Sequence, residues 1–511
     1  MCFVETDHIL RERIEMVNQK NLKQKAVSGM IWTALQRYST IFIQFISGII
    51  LARLLTPYDY GCIGMLMIFV VLAESFIDGG FGSALIQKKR PTQEDYSTVF
   101  FWNIAMAVLL YGVLYASAPM IACFYQIPML CKVLRVQGVI LFIYAFNIVQ
   151  RNLLQKNLNF KLLSIVTITT SLISLTVTII MAYHGYGVWS LVFQNILMAL
   201  LPALFFWFYV KWSPKMLFSW NSFKELFSFG LYIFLAHLLN KISSQIQGLL
   251  IGKIYSPSQM GYYSKASKTE YLVSNSISSI MQQVAYPLYS EAQDNKTVLV
   301  NMIRRMIMTL SYATFPCLFI LLLCAKPLFI LLYSDKWLES VPYFQILCIA
   351  GLAICLQSVN SMSITAIGKS KLMFKWTVVK RLFGISFIVL GLYFYGMIGL
   401  LIGVVLNQWF SYFVHIGLVS KYIGYRWRKQ ILDLLPVGLA SLIAYIISFY
   451  IADFVQLQLY ADALLKICIY VLIYMSWSLV LKPEAYCYTY NIIVPKTLAF
   501  GKRIKKKYFN S

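Results

Sequence analysis

The chain has 511 residues, 59% of them hydrophobic and only 12% charged, with a mean hydropathy of +0.70 and a net charge of +25. So much apolar surface cannot be hidden in a soluble core of this size, so lipid has to be the solvent and a soluble enzyme is excluded. The positive charge is dealt out in clusters instead of being gathered on one face or tail, which argues against nucleic acid as a partner.

In chain order, residues 1–25 read as a polar cytoplasmic segment, with no apolar stretch leading to a small-residue cleavage site. Arg11, Glu12, Arg13 and Glu15 among isolated Ile and Leu suit an interfacial helix. Apolar windows long enough to cross about 30 Å of hydrocarbon then recur. They lie near 28–52, 61–86, 97–124, 132–155, 161–184, 187–210, 226–252, 264–290, 306–332, 340–367, 373–395, 398–420, 432–454 and 462–481. The expected fold is therefore an all-α integral membrane protein of about 14 transmembrane helices.

Basic residues occupy every second gap. They fall at Lys20, Lys23 and Lys25, at Lys88 to Arg90, at Arg151, Lys156 and Lys161, and at Lys211, Lys215 and Lys224. Further along come Arg304 and Arg305, then Lys369, Lys371 and Lys375, then Lys421 to Lys429, and last Lys502 to Lys507. The opposite gaps, such as 182–187 and 395–397, are short and nearly uncharged. The positive-inside rule then puts both termini in the cytoplasm, in agreement with an even number of spans. The ten cysteines are scattered and include no Cys-x-x-Cys; pairs such as Cys317 and Cys324 share a helix face as packing residues.

An offset of 200 residues aligns Leu51-Ala52-Arg53-Leu54-Leu55-Thr56-Pro57 and Gly61 with Ile251-Gly252-Lys253-Ile254-Tyr255-Ser256-Pro257 and Gly261. Gly48 meets Gly248 and Ser28 meets Ser228. In each copy one helix stops at a hydroxyl residue, a proline opens the next, and a glycine follows four positions later. Six spans separate the copies, so two six-helix bundles in the same orientation are expected, as a parallel pseudo-twofold repeat about the membrane normal, with two C-terminal helices appended. The domain plan is an N-terminal segment 1–25, a first bundle 26–211, a cytoplasmic linker 212–225, a second bundle 226–420, transmembrane helices 13 and 14 at 432–481, and a basic cytoplasmic tail 482–511. Such paired bundles enclose a cavity at their seam and expose it to alternate sides, which points to transport.

An ionised side chain in mid-bilayer costs several kcal/mol, so each needs a cavity or a partner. Arg37 in span 1, Lys241 in span 7, and Glu74 and Asp78, four apart on one face of span 2, all come out within about 7 Å of the midplane. Two accounts stay open. In one, spans 1 and 2 share a structural ion pair and Lys241 reaches toward water. In the other, Arg37 and Lys241 supply positive charge to the seam as headgroup cations, while Glu74 or Asp78 balances them or takes up a coupling cation. Arg135 reads as a snorkelling residue. His237 and His415 suit either proton transfer or packing. The run Asp78-Gly79-Gly80-Phe81-Gly82 should bend span 2 or let another helix approach closely. In-span amides including Gln44, Asn147, Gln245, Asn360 and Asn407 suit sugar binding or helix adhesion. No Walker-type phosphate loop, His-Glu-x-x-His or Gly-x-Ser-x-Gly occurs, so no cofactor, metal or enzymatic chemistry is expected.

Leu51 to Pro57 with Tyr60-Gly61, Gly82 to Lys88, Tyr262-Tyr263-Ser264-Lys265-Ala266, Pro287-Leu288 before Asp294, and Lys336-Trp337 followed by Gln345-Ile346-Leu347 and Gly351 resemble the polysaccharide-type flippases near the colanic-acid exporters. These belong to the multidrug/oligosaccharidyl-lipid/polysaccharide exporter superfamily. The resemblance spans about residues 22–420. It implies movement of polyprenyl-diphosphate-linked oligosaccharide from the inner to the outer leaflet of a bacterial inner membrane, with membrane lipid around the protein and a polysaccharide polymerase and assembly machinery as neighbours. It does not assign Arg37 or Lys241, which rest on depth and charge alone. The rivals are a cation-coupled multidrug antiporter of the same superfamily, favoured by a carboxylate-rich cavity, and a membrane-embedded polysaccharide polymerase or ligase, which needs a large outer loop that the sequence lacks.

Overall fold

The computed structural model describes residues 2–455 and 457–489, and among these the chain is helical and without strands. The expected basic tail beyond residue 489, with Lys502 to Lys507, lies outside the described residues. The chain divides after Gly261 into two compact units.

The first unit holds α1 (Cys2–Leu54), α2 (Pro57–Asp78), α3 (Phe81–Gln87), α4 (Gln93–Tyr125), α5 (Met129–Gln137), α6 (Ile140–Lys156), α7 (Phe160–Tyr183), α8 (Val188–Tyr209) and α9 (Trp220–Ile254), and ends in the first turn of α10 (Pro257–Glu291). Its boundaries follow local chemistry. Thr56 caps α2 in a box with Asp59, with Pro57 in the first turn where its missing N–H costs nothing. Thr92 and Asp95 repeat the device at α4. Lys156 donates to the carbonyls of Leu85 and Ile86 at 2.9 and 3.0 Å, and to that of Lys88, so a cation satisfies the C-terminal end of α3.

The second unit contains the rest of α10, then α11 (Lys296–Leu323), α12 (Ala325–Tyr333), α13 (Ser340–Ala366), α14 (Ser370–Tyr422), α15 (Trp427–Val455) and α16 (Leu459–Leu481). Its core joins Ile303, Ile307, Leu356, Val419, Ala444 and Tyr470, so the two last helices pack onto the same apolar interior as α11 and α13. Arg304 ties α11 to α15 through a two-pronged pair with Asp433 at 2.7 and 2.8 Å.

Twelve helices among the described residues are long and apolar enough to cross a membrane. One of them, Leu372–Tyr422, is two helices merged across non-helical torsions at Tyr395 and Gly396, since its 51 residues exceed twice the span of a bilayer. With α10, 35 residues long but more polar, the crossings number fourteen, as the sequence leads one to expect. Several expected spans prove to be broken helices. Span 4 is α5 and α6, divided at Gly138, and the end of span 9 is the separate α12. Periodicity carries no trace of such breaks because both pieces keep an apolar face.

The bend expected in span 2 is a true interruption. Gly79 and Gly80 both take left-handed torsions, with φ of 52° and 80°, ending α2 one residue after Asp78 and starting α3. The same glycine also meets the alternative expectation, since a Cβ on Gly80 would overlap the carbonyl of Gly230 in α9. One motif therefore provides both the break and the close approach.

Candidate functional site

The polar interior of the first unit is built around one stripe of α6. Tyr144, Asn147, Arg151 and Gln155 are spaced three, four and four apart, which places them on a single helical face. Across from them α1 presents Thr33, Gln36, Arg37 and Thr40, held to α7 by Ser164, whose hydroxyl donates to the Trp32 carbonyl at 2.9 Å and reaches the Gln36 amide oxygen at 3.3 Å. These groups line a cavity of about 550 Å³, closed by Thr167 of α7 and by Met198 and Pro202 of α8. Two guanidinium groups, Arg37 and Arg151, stand on its wall, and no carboxylate does.

The same α6 stripe forms one side of a smaller cavity of about 250 Å³, whose other side is Asp78, Gly82, Ser83 and Asn152. Asp78 is the last residue of α2, and the N–H groups of Gly80 and Gly82 turn back onto its carboxylate. The glycine break thus aims backbone donors at the acid and fixes its position.

The four charges singled out from the sequence separate into two groups. Arg37 lines the larger cavity; Glu74 and Asp78 lie one turn apart on α2, and Lys241 of α9 is within electrostatic reach of both. His237, one turn before Lys241, reaches Asp78. Among the described residues Arg37 forms no ion pair with Asp78, and Lys241 is absent from both cavity walls. Arg135 lies over the Tyr115 ring, 4.0 Å from its centroid.

Sequence reasoning missed other groups. Arg151 was counted with a basic gap, although the stripe Tyr144–Asn147–Arg151–Gln155 was there to be read at helical spacing. In the second unit, in-span charges at Lys265, Glu270 and Lys380 were overlooked. Lys265 sits over the Tyr333 ring at 3.9 Å, the buried Glu270 accepts from Ser274, and Lys380 meets His415 at 2.9 Å. Lys380 lies in a strongly apolar window whose mean hydropathy one charge barely lowers, whereas Lys265 and Glu270 lie in the more polar α10, where the charges were there to be read. No group of three or more His, Cys, Asp or Glu comes together among the described residues.

Residues 50–342 match the family described as polysaccharide biosynthesis protein. The chain belongs to that family. The match takes in the motifs from Leu51 to Trp337 that carry the resemblance. Among curated relatives, the teichuronic acid biosynthesis protein TuaB of Bacillus subtilis is 27% identical over 369 residues, covering 72% of this chain and 76% of TuaB. The lipopolysaccharide biosynthesis protein WzxC of Escherichia coli is 23% identical over 439 residues, covering 84% and 88%. Among solved structures, the lipid II flippase MurJ in an inward closed conformation superposes with a TM-score of 0.73 at 17% identity, covering 89% of this chain and 99% of MurJ. An inward-facing multidrug resistance transporter of the MOP superfamily gives 0.57 at 15% identity, covering 81% and 99%. The fold is thus the one shared by that superfamily, and the protein is a multi-pass membrane protein.

Proposed function

We propose that this protein flips polyprenyl-diphosphate-linked oligosaccharide repeat units from the cytoplasmic to the periplasmic leaflet of a bacterial inner membrane, by alternating access, for surface polysaccharide biosynthesis. The observation that carries the reading is the acid-free cavity in which Arg37 and Arg151 stand among amides and hydroxyls. A diphosphate crossing bare hydrocarbon faces a prohibitive desolvation cost, and a polar cavity with two guanidinium groups replaces its water while the lipid tail stays in the bilayer. Arg37 and Arg151 are the headgroup cations in this scheme. Lys241 serves the site indirectly, by balancing Glu74 and Asp78, which lie within its electrostatic reach. TuaB and WzxC are named for teichuronic acid and lipopolysaccharide biosynthesis, and MurJ is named a lipid II flippase, which supports this reading.

The alternating basic gaps support cytoplasmic termini and the plan of two six-helix bundles plus two helices. A polymerase and assembly machinery would take up the flipped product. A cation-coupled multidrug antiporter shares the fold, but the acids such a cavity needs for cationic cargo are here matched by Lys241.

A strain lacking the protein should accumulate lipid-linked oligosaccharide on the cytoplasmic leaflet, measured by protection of the saccharide from externally added glycan-binding probes. Arg37→Ala should insert normally yet fail to restore surface glycan. Full rescue by Arg37→Ala combined with Arg151→Ala removes the site assignment, and normal surface glycan in a deletion without a second transporter removes the function.

A further inference from the structure

The two cavities on either side of the α6 stripe differ in charge. The larger has both arginines and no acid; the smaller adds Asp78 to Arg151 and surrounds them with three amides and the hydroxyl-bearing Ser83 and Tyr144. A carboxylate repels a phosphate, so the smaller cavity suits a neutral ligand with many hydroxyls. At about 250 Å³ it falls below the range of drug-sized pockets, roughly 300 Å³ and up. That is the scale of one sugar ring.

Its wall also carries groups left without partners. Asn152 is only 7% exposed, and its Nδ2 donor has no hydrogen-bond partner. The Oδ1 acceptor of Asn147 is likewise unmatched. With the Ser83 hydroxyl and the Gln155 amide, these two amides give the lining of one small cavity both donors and acceptors, the mixture that a ligand with many hydroxyls matches. A sugar hydroxyl does both. Asp78, held in place by the Gly80 and Gly82 amides, is an acceptor set in advance for such a hydroxyl, and the ring of Tyr144 gives the apolar wall that a sugar face packs on.

We propose that the smaller cavity is a subsite for a neutral sugar ring, the one joined directly to the diphosphate, and that Asp78, Asn152 and Asn147 read its hydroxyls while Arg151, shared by both cavities, marks the junction of sugar and phosphate. The inference rests on the flippase reading above and deepens it. It gives the acid of span 2 a role in cargo selection, where sequence reasoning offered it only charge balance or ion coupling.

The test is binding to the full-length protein in detergent micelles, followed by native mass spectrometry with three probes: undecaprenyl diphosphate, and the same lipid bearing one glucosyl or one galactosyl unit. The wild type should prefer one of the glycosylated lipids over the bare lipid by about tenfold, the effect of one or two hydrogen bonds to a buried charged group. Asp78→Asn and Asn152→Leu should abolish that preference while leaving bare-lipid binding within about twofold. Arg37→Gln should weaken all three probes alike. Should Asn152→Leu fail to fold, Asp78→Asn, which keeps shape and volume, decides alone. Equal binding of all three probes by the wild type, with Arg37→Gln weakening each, overturns the sugar subsite and leaves the flippase reading standing. Failure of every probe to bind overturns both.

Discussion

Gly61 of α2 packs against the backbone carbonyl of Pro257, and Gly261 of α10 packs against the backbone carbonyl of Pro57. The two copies of the repeated motif touch each other reciprocally, each glycine admitting the other copy's proline. A Cβ at either position would overlap a carbonyl oxygen, and backbone cannot swing aside as a flexible side chain can. Gly61→Ala and Gly261→Ala should each cost at least about 1–3 kcal/mol, the usual penalty of overpacking, with the pair less than additive because both disturb one crossing. Gly112→Ala, with nothing within 4 Å, should be neutral or slightly stabilising. Thermal unfolding midpoints of the purified variants check this.

Lys88 lies between the second and third spans, 3.1 Å from Asp95 and 2.9 Å from Glu225. Burial works against its charge, but the hydrogen bonds to Glu225 and Asp95 outweigh that and hold its pKa above the ordinary lysine value. A raised folded-state value means the contribution is whole at any pH below the unfolded lysine value of about 10.4 and fades as the pH climbs through the folded one. Stability referable to Lys88 should therefore be flat through neutral pH and decline only in strong alkali. Asp95→Asn should cost about 1–2 kcal/mol, because the buried Asp95 also caps α4, whereas Glu225→Gln at a 62% exposed side chain should cost less than about 1 kcal/mol. Melting curves of both variants between neutral and alkaline pH separate the two effects.

Arg304 gathers three elements. Its guanidinium grips Asp433 with two prongs and reaches Glu484 at 2.6 Å, while Tyr425 donates to Asp433 at 2.6 Å. Burial and the neighbouring Asp433 carboxylate push the Tyr425 hydroxyl far above the ordinary tyrosine range, so it remains a donor throughout physiological pH. Asp433→Asn should destabilise the second unit by about 1–2 kcal/mol, since it weakens the two-pronged pair while Glu484 still holds the guanidinium. Arg304→Lys should recover little, because an ammonium cannot reproduce the fork. Limited proteolysis at the α14–α15 connection gives the readout.

Transport should rank the in-span cations. Arg37→Ala and Arg151→Ala should each reduce surface glycan output at least about tenfold, as each removes a charge-assisted contact to the diphosphate. Lys241→Met should act differently, losing much of its effect when Glu74→Gln is added, because the uncompensated acid would cause the harm. Double-mutant analysis of glycan yield at matched protein levels tests this coupling.

The sequence by itself determined the solvent, the number of crossings and the repeat. These depend on composition summed over some twenty residues, on which gaps hold basic residues, and on Pro and Gly at fixed positions, all properties of the chain taken locally. It also marked the run Asp78 to Gly82 as either a bend or a close helix approach, and the left-handed torsions of Gly79 and Gly80, which glycine takes readily, turn that into a break. Tertiary structure alone decided which charge faces which. Arg37 and Asp78 come out at similar depth along their helices, yet rotation of α1 and α2 about their axes sends one to the larger cavity and the other to the smaller. Lys241 meets Glu74 and Asp78 because α9 packs on α2, a contact between residues more than 160 positions apart that no local pattern encodes. Arg151, which a charge count assigned to the membrane surface, becomes the residue common to both cavities only once α6 turns its polar stripe inward. Depth follows from position in the chain, but facing depends on how each helix rotates against its neighbours, and that is set by packing.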